Sequence, residues 1–131
     1  MDINLPMNRA AFDNAAAMYD EQFDALPATQ RLRRIVWNIY TTYFTREDSL
    51  LELNCGTGTD VVFLARNGIR VHATDVSPKM VFAAQKKIQS QRLEDAASAQ
   101  VLSYGDLQQL GRRTFDGAYS NMGGLNCTNE L

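Results

Sequence analysis

Ser49-Leu50-Leu51-Glu52-Leu53-Asn54-Cys55-Gly56-Thr57-Gly58 is the stretch that decides the fold. Ser49 to Leu53 reads as a short apolar strand, and it runs without a spacer into the turn Gly56-Thr57-Gly58. Helical periodicity follows at once in Val61, Val62, Leu64 and Ala65, closed by Asn67-Gly68 as a left-handed cap where glycine carries no Cβ penalty. A strand, a glycine turn and a helix in direct succession open a parallel-sheet unit. In such a unit backbone can approach a ligand closely, and the helix start offers free N–H groups. A tight connection with no ligand has the same local sequence.

Working outward, Arg70 to Thr74 reads as a second strand, and Ser77-Pro78 starts a helix with a capping hydroxyl and a proline in its first turn. That helix runs through Val81, Ala84 and Ile88 to about Leu93, with Lys86, Lys87 and Arg92 facing water. Gln100 to Tyr104 reads as strand three, Asp106 to Leu110 as a short helical turn, and Phe115 to Asn121 as strand four. The alternation predicts an α/β fold, a Rossmann-like parallel sheet with right-handed crossovers and helices on both faces. On the other side of Ser49, Phe12, Ala16, Tyr19 and Phe23 give one helix over Asn8 to Asp24. After Pro27, the pattern from Leu32 through Ile35, Val36, Ile39, Tyr40 and Tyr43 gives a second helix to Phe44. The expected organisation is a single domain, with a helical cap over residues 1–45 and a Rossmann-like core over 46–131.

Composition fits that architecture. The 131 residues are 45% hydrophobic and 21% charged, a balance that supports a packed core. The net charge of −2 argues against a surface built to hold nucleic-acid phosphates or anionic lipid. Met1 to Arg9 lacks a secretory pattern, and nowhere do about 18 apolar residues run together. The expectation is a cytoplasmic protein with no membrane and no nucleic-acid partner. Cys55 and Cys127 show no zinc-type spacing with His72, the sole histidine, so no metal site is expected and both thiols read as reduced. His72 reads as a packed strand residue.

Ligands of such sheets bind beyond the carboxyl ends of the strands. Asp75 ends strand two, 17 residues after Gly58, where its acceptor-only carboxylate can take both hydroxyls of a ribose or cap the next helix. Asp106 follows strand three, where it can accept from an adenine amino group or cap the short helical turn. A dinucleotide fingerprint needs a third glycine three positions after Gly58, and that position holds Val61. A pyrophosphate cofactor is therefore disfavoured, and with it a nicotinamide-dependent oxidoreductase. A ligand with ribose and adenine but no phosphate suits the turn, and S-adenosyl-L-methionine is such a molecule.

These residues resemble the class I S-adenosylmethionine-dependent methyltransferase family from about Leu50 to Leu131. Glu52 to Thr59 is similar to its first motif, an acidic residue and then a glycine-rich loop under the methionine part of the cofactor. That resemblance assigns Glu52, Asn54, Cys55, Gly56, Thr57 and Gly58 to the cofactor site. Asp75-Val76-Ser77-Pro78-Lys79-Met80 resembles the second motif, with Asp75 on the ribose, Val76 beside it and Met80 against adenine. Gly105-Asp106-Leu107 is similar to the third motif, and Phe115 to Asn121 to the fourth. The stretch from Ala11 to Asp20 resembles the helix that covers the cofactor in many members, which brings in Tyr19. Asn54 stands where many members have a glycine, and asparagine is the next best residue at positive φ.

The resemblance implies a methyltransferase that converts S-adenosyl-L-methionine to S-adenosyl-L-homocysteine. Methyl transfer is an in-line displacement that needs alignment more than catalytic side chains, so no catalytic residue is assigned. No Asp/Asn-Pro-Pro-aromatic tetrapeptide follows strand four, which favours a small-molecule methyl acceptor. Tyr119, Asn121 and Asn126 are candidates to touch the cofactor or acceptor, or to order the loop. The family sheet has seven strands and this chain supplies four, in the implied order 3-2-1-4. Strand four is then an open edge, belonging to a chain cut from a longer protein or inviting a homodimer or another chain. The other function class consistent with these residues is a non-catalytic partner subunit that keeps the fold.

Overall fold

The computed structural model describes residues 5–123 and 125. Four strands, β1 (Ser49–Leu53), β2 (Arg70–Asp75), β3 (Ala97–Val101) and β4 (Gly117–Ser120), form one sheet in the order β3-β2-β1-β4. All pairings are parallel, with Leu51 opposite His72 and Ala118, and Ala73 opposite Ala99. The Rossmann-like α/β expectation holds, strand order included. Connecting parallel strands requires crossovers, and α3 (Thr59–Arg66) and α4 (Pro78–Ser90) supply the first two. Their apolar residues Val61, Leu64, Val81, Ala84 and Ile88 bury against Leu50, Val71, Ala73, Ala97 and Ala99 to make the core. Ser77 caps α4 by accepting from Met80 N at 3.1 Å, and Gly68 at φ +81° closes α3 as read from sequence.

Ahead of the sheet lie α1 (Leu5–Ala15), a π-helical turn (Asp20–Asp24) and α2 (Pro27–Tyr43). The single helix expected over Asn8–Asp24 is therefore broken. The chain leaves α1 after Ala15 and rewinds in a wider turn, with Ala25 N bonded to Asp20 O at 2.8 Å. The break accompanies contacts that a straight helix was not read to make, since Asp13, Asp20 and Asp24 all bond to groups of the core. In α2, Pro27 occupies the first turn instead of preceding the helix. Phe44 then packs onto Gly117, where a Cβ would meet its ring at 2.7 Å.

Two strands are shifted from their sequence assignment. Strand three is Ala97–Val101 and not Gln100–Tyr104, because Ala97 and Ala99 are the small buried residues that pack beneath α4. The larger Leu102 and Tyr104, which drew the assignment, follow the strand, and Tyr104–Leu110 is a 3-10 turn. Strand four is the shorter Gly117–Ser120. His72 bonds Ser98 Oγ at 2.7 Å and Gln100 Oε1 at 2.9 Å, and burial with the nearby Arg113 holds it below its usual range. That agrees with a packed strand residue. No helix among the described residues is long and apolar enough to cross a membrane.

Candidate functional site

The loop leaving β1 shows why its residues are those they are. Asn54, Gly56 and Gly58 all have positive φ, at 59°, 54° and 86°. Asparagine tolerates the left-handed region, so Asn54 keeps the loop without a glycine. Cys55 N bonds Thr74 O at 2.9 Å, and Gly56 N bonds Asp75 Oδ2 at 2.9 Å, so the loop is tied to the end of β2 at two successive amides. Asp75 Oδ1 accepts from Ser77 N at 2.9 Å. Burial raises the Asp75 pKa, and the amides of Ser77, Gly56 and Val76 oppose that rise by stabilising the charge.

Beyond these strand ends opens a cavity of about 880 Å³, its mouth included. Of the residues assigned from sequence, Tyr19, Glu52, Asn54, Cys55, Gly56, Asp75, Val76, Met80 and Asn121 line it. Five do not. Thr57 is buried behind the loop, where its hydroxyl donates to Asp20 and accepts from Lys87. Gly58 faces α4, since a Cβ there would lie 2.8 Å from Ala84 Cβ. Gly105, Asp106 and Leu107 sit in the 3-10 turn, off the wall. The physical reason is the earlier end of β3, which brings Leu102, Ser103 and Tyr104 to the wall instead. Ser103, not Asp106, caps that turn, accepting from Gly105 N at 3.2 Å. Asn126 and Cys127 lie outside the described residues.

Glu52 is 2% exposed, and its Oε2 has no hydrogen-bond partner among the described residues. Burial, then the charge of Asp60, pushes its pKa well above the ordinary carboxylate range. Tyr119 is its neighbour in register and opposes that rise, although at ordinary hydrogen-bond distance its hydroxyl has no partner among the described residues. Burial also raises Tyr119, and raises the Cys55 thiol well above its usual value. Cys55 is thus a packed thiol and a poor nucleophile.

Sequence reading missed the largest polar network. Asp60, in the first turn of α3, accepts from Arg33 Nη1 and Trp37 Nε1, each at 2.7 Å, and from Asn121 Nδ2 at 2.9 Å. Arg33 also donates to Asp24 at 2.7 Å, while its buried Nε finds no partner among the described residues. Arg33 and Asp60 line the cavity, so its wall carries three carboxylates, Glu52, Asp60 and Asp75, against one guanidinium. The available signal was Arg33 itself, a charge on the inward face of α2, where Thr29 is buried and Val36, Trp37 and Tyr40 are half-buried, whereas Leu32, Ile35, Ile39 and Tyr43 of the apolar pattern are exposed. Lys87 was expected to face water, but it pairs with Asp20 Oδ2 at 2.6 Å. Asn121 both lines the cavity and orders its loop, accepting from Met122 N at 2.8 Å.

This wall offers acceptors to hydroxyl, amino or cationic groups, and a backbone loop open enough for close approach. A Cβ on Gly56 would meet nothing within 4 Å. Residues 50–130 match a family described as a methyltransferase domain. A curated relative, the malonyl-[acyl-carrier protein] O-methyltransferase of Priestia megaterium, is 28% identical over 122 residues, 91% of this chain and 41% of the relative. The chain thus spans less than half the length of that protein. The [4+2]-cyclase SpnF superposes with a TM-score of 0.69 at 19% identity, over 87% of this chain and 47% of its own. The CcbJ methyltransferase of Streptomyces caelestis does so with a TM-score of 0.69 at 22% identity, over 85% and 43%. With a sheet ordered 3-2-1-4, a glycine loop tied to the end of β2 and a family match over most of its length, the chain belongs to the methyltransferase-domain family.

Proposed function

We propose that this chain forms the S-adenosyl-L-methionine site of a methyltransferase acting on a small molecule. The observation that carries the reading is the convergence of Gly56, Asp75 and Glu52 on one cavity wall, with Gly56 N bonded to Asp75. The fit to that cofactor rests on two further features. Gly56 leaves open space where backbone would meet the ligand, and among the described residues the buried wall holds an unmatched acceptor on Glu52 and an unmatched donor on Arg33. An amino-acid moiety carries the complementary pair, an ammonium and a carboxylate.

In this reading Asp75 holds the ribose hydroxyls, Met80 and Val76 lie against the adenine, and Tyr19 closes the mouth. When bound, the cofactor supplies a sulfonium-activated methyl group. The chain's own part is to orient that group and exclude water, which suits a wall whose Cys55 thiol is packed and a poor nucleophile. The P. megaterium relative is named for a carboxyl acceptor carried on acyl-carrier protein, so a malonyl thioester is a rational first acceptor to assay with the complete protein. Residues 1–45 act as the cap and 46–131 as the core of a single cytoplasmic domain. The free edge of β4 is where a further strand, from this protein or a second copy, would add.

Isothermal titration with S-adenosyl-L-methionine and S-adenosyl-L-homocysteine tests the reading. Saturable binding that is lost in Asp75→Ala supports it; no binding of either ligand to the complete protein refutes it. That fold alone does not dictate methyl transfer is illustrated by SpnF, which is named a cyclase.

A further inference from the structure

Nothing between residues 6 and 24 is buried, yet this segment contributes Asn8, Phe12 and Tyr19 to the cavity wall. Full apolar burial is therefore not what holds it down, since Phe12 and Tyr19 are only partly covered. Three aspartates hold it instead, each reaching a different part of the core. Asp13 accepts from Ser77 Oγ at 2.5 Å and Lys79 N at 3.1 Å, at the start of α4. Asp20 accepts from Thr57 Oγ1 at 2.5 Å and pairs with Lys87 Nζ at 2.6 Å. Asp24 accepts from Thr59 at the start of α3 and pairs with Arg33. Asp13 is in α1 and Asp20 and Asp24 are in the π-helical turn, so the attachment spans both elements of the segment.

We propose that residues 5–24 form a lid latched by these aspartates, and that Lys87 and Thr57 are positioning residues which couple the latch to the glycine loop. Thr57 sits between Gly56, which lines the cavity, and Gly58, which packs on α4. Its hydroxyl receives Lys87 at 3.0 Å while donating to Asp20, so one side chain joins loop, lid and α4. The Asp20–Lys87 arm, with side chains 45% and 28% exposed, is the one that salt weakens and that opens locally, whereas the Asp24–Arg33 arm, 10% and 8% exposed, is screened little. Ligand exchange then requires the latch to open, and its rate follows the latch. This rests on the cofactor reading above for the identity of the ligand, but not for the existence of the lid.

Hydrogen–deuterium exchange on the ligand-free full chain tests the lid directly. In Lys87→Met, in Asp20→Asn, and in wild type moved from about 0.05 to about 0.5 M salt, amides of residues 8–24 are expected to exchange about three- to tenfold faster. Amides of β1 and β2 keep their protection, which shows that the core stays folded. Lys86→Met removes a neighbouring charge that lies over the Phe82 ring, and is expected to leave residues 8–24 unchanged. Trp37, the sole tryptophan, bonds Asp60 on the cavity wall and reports dissociation of S-adenosyl-L-homocysteine in stopped flow. Dissociation should quicken in the same variants by a similar factor. Unchanged exchange over residues 8–24 in folded Lys87→Met and Asp20→Asn would overturn the latch. If exchange quickens but no ligand binds, the latch stands and the cofactor reading falls.

Discussion

Asp75 Oδ2 lies 2.9 Å from Gly56 N, so the carboxylate that ends β2 fixes the turn that leaves β1. One side chain therefore serves the fold and the ligand together. Its other oxygen takes Ser77 N, and a carboxylate has about four lone-pair sites, so acceptor capacity remains at the cavity that Asp75 lines.

Replacing Asp75 by Ala frees the buried amide of Ser77 and the half-buried amide of Gly56 and removes the acceptors. Affinity for S-adenosyl-L-homocysteine is expected to fall by about 1.5–3 kcal/mol, read by titration, and stability by about 1–3 kcal/mol, read by urea unfolding. Asp75→Asn retains shape and one acceptor oxygen, so it should recover part of the stability and less of the affinity. Equal affinity in wild type and Asp75→Ala would remove the ribose assignment.

Gly56 and Gly58 separate cleanly in what they do. A methyl group on Gly56 meets only positive φ and open cavity, so Gly56→Ala should cost about 1–2 kcal/mol of stability and weaken ligand binding more. A methyl group on Gly58 meets positive φ and Ala84 Cβ at 2.8 Å, so Gly58→Ala should cost about 2–4 kcal/mol. Paired measurement of unfolding and binding checks the contrast. If Gly58→Ala is the milder of the two in unfolding, the packing of α3 on α4 is wrongly understood.

The strand-turn-helix of residues 49–68 was legible because local signals agree there: an apolar run, a glycine turn, a helical face and a left-handed cap. Asp75 and Met80 were legible for the same reason, since a capping serine and a proline mark the start of α4. Strand three was misplaced because the strand is made of small residues, Ala97 and Ala99, whose burial comes from α4 above them and not from their own hydrophobicity. That shift carried Asp106 away from the wall with it. Asp60, Arg33 and the aspartate contacts of residues 13, 20 and 24 were illegible for a different reason. Each is a tertiary partnership across 9 to 66 residues, and an isolated charge on a helix looks the same whether it meets water or a buried partner.

Arg33 and Asp60 form such a buried pair, with side chains 8% and 3% exposed. Removing one member strands the other without its counter-charge, so Arg33→Met should destabilise by about 3–5 kcal/mol. Asp60→Asn keeps acceptors for Trp37 and should cost less. In Arg33→Met combined with Asp60→Asn the loss should be smaller than the sum, and a double-mutant cycle from chemical unfolding reads the coupling. Strict additivity would show that the 2.7 Å contact carries no energy of its own.

Glu52 gives a pH signature that its neighbours cannot imitate. Burial and the charge of Asp60 raise its folded-state pKa well above the ordinary value of 4.5, so above that pH the folded chain holds a proton that the unfolded chain has released. Protonated Glu52 stabilises the fold in acid, and this stability is lost as pH climbs from the ordinary glutamate range through the raised value. Glu52→Gln fixes the neutral form. The variant should therefore melt higher than wild type at about pH 8, and the gap should narrow toward about pH 4. Asp75, which is also raised, is present in both proteins and cancels in the comparison. A cationic group seated against Glu52 would favour its charged form, so ligand binding to wild type should release protons that Glu52→Gln does not. Titration in buffers of different ionisation enthalpy measures that release. Melting curves that stay parallel across the pH range would show that Glu52 is already ionised in the folded chain.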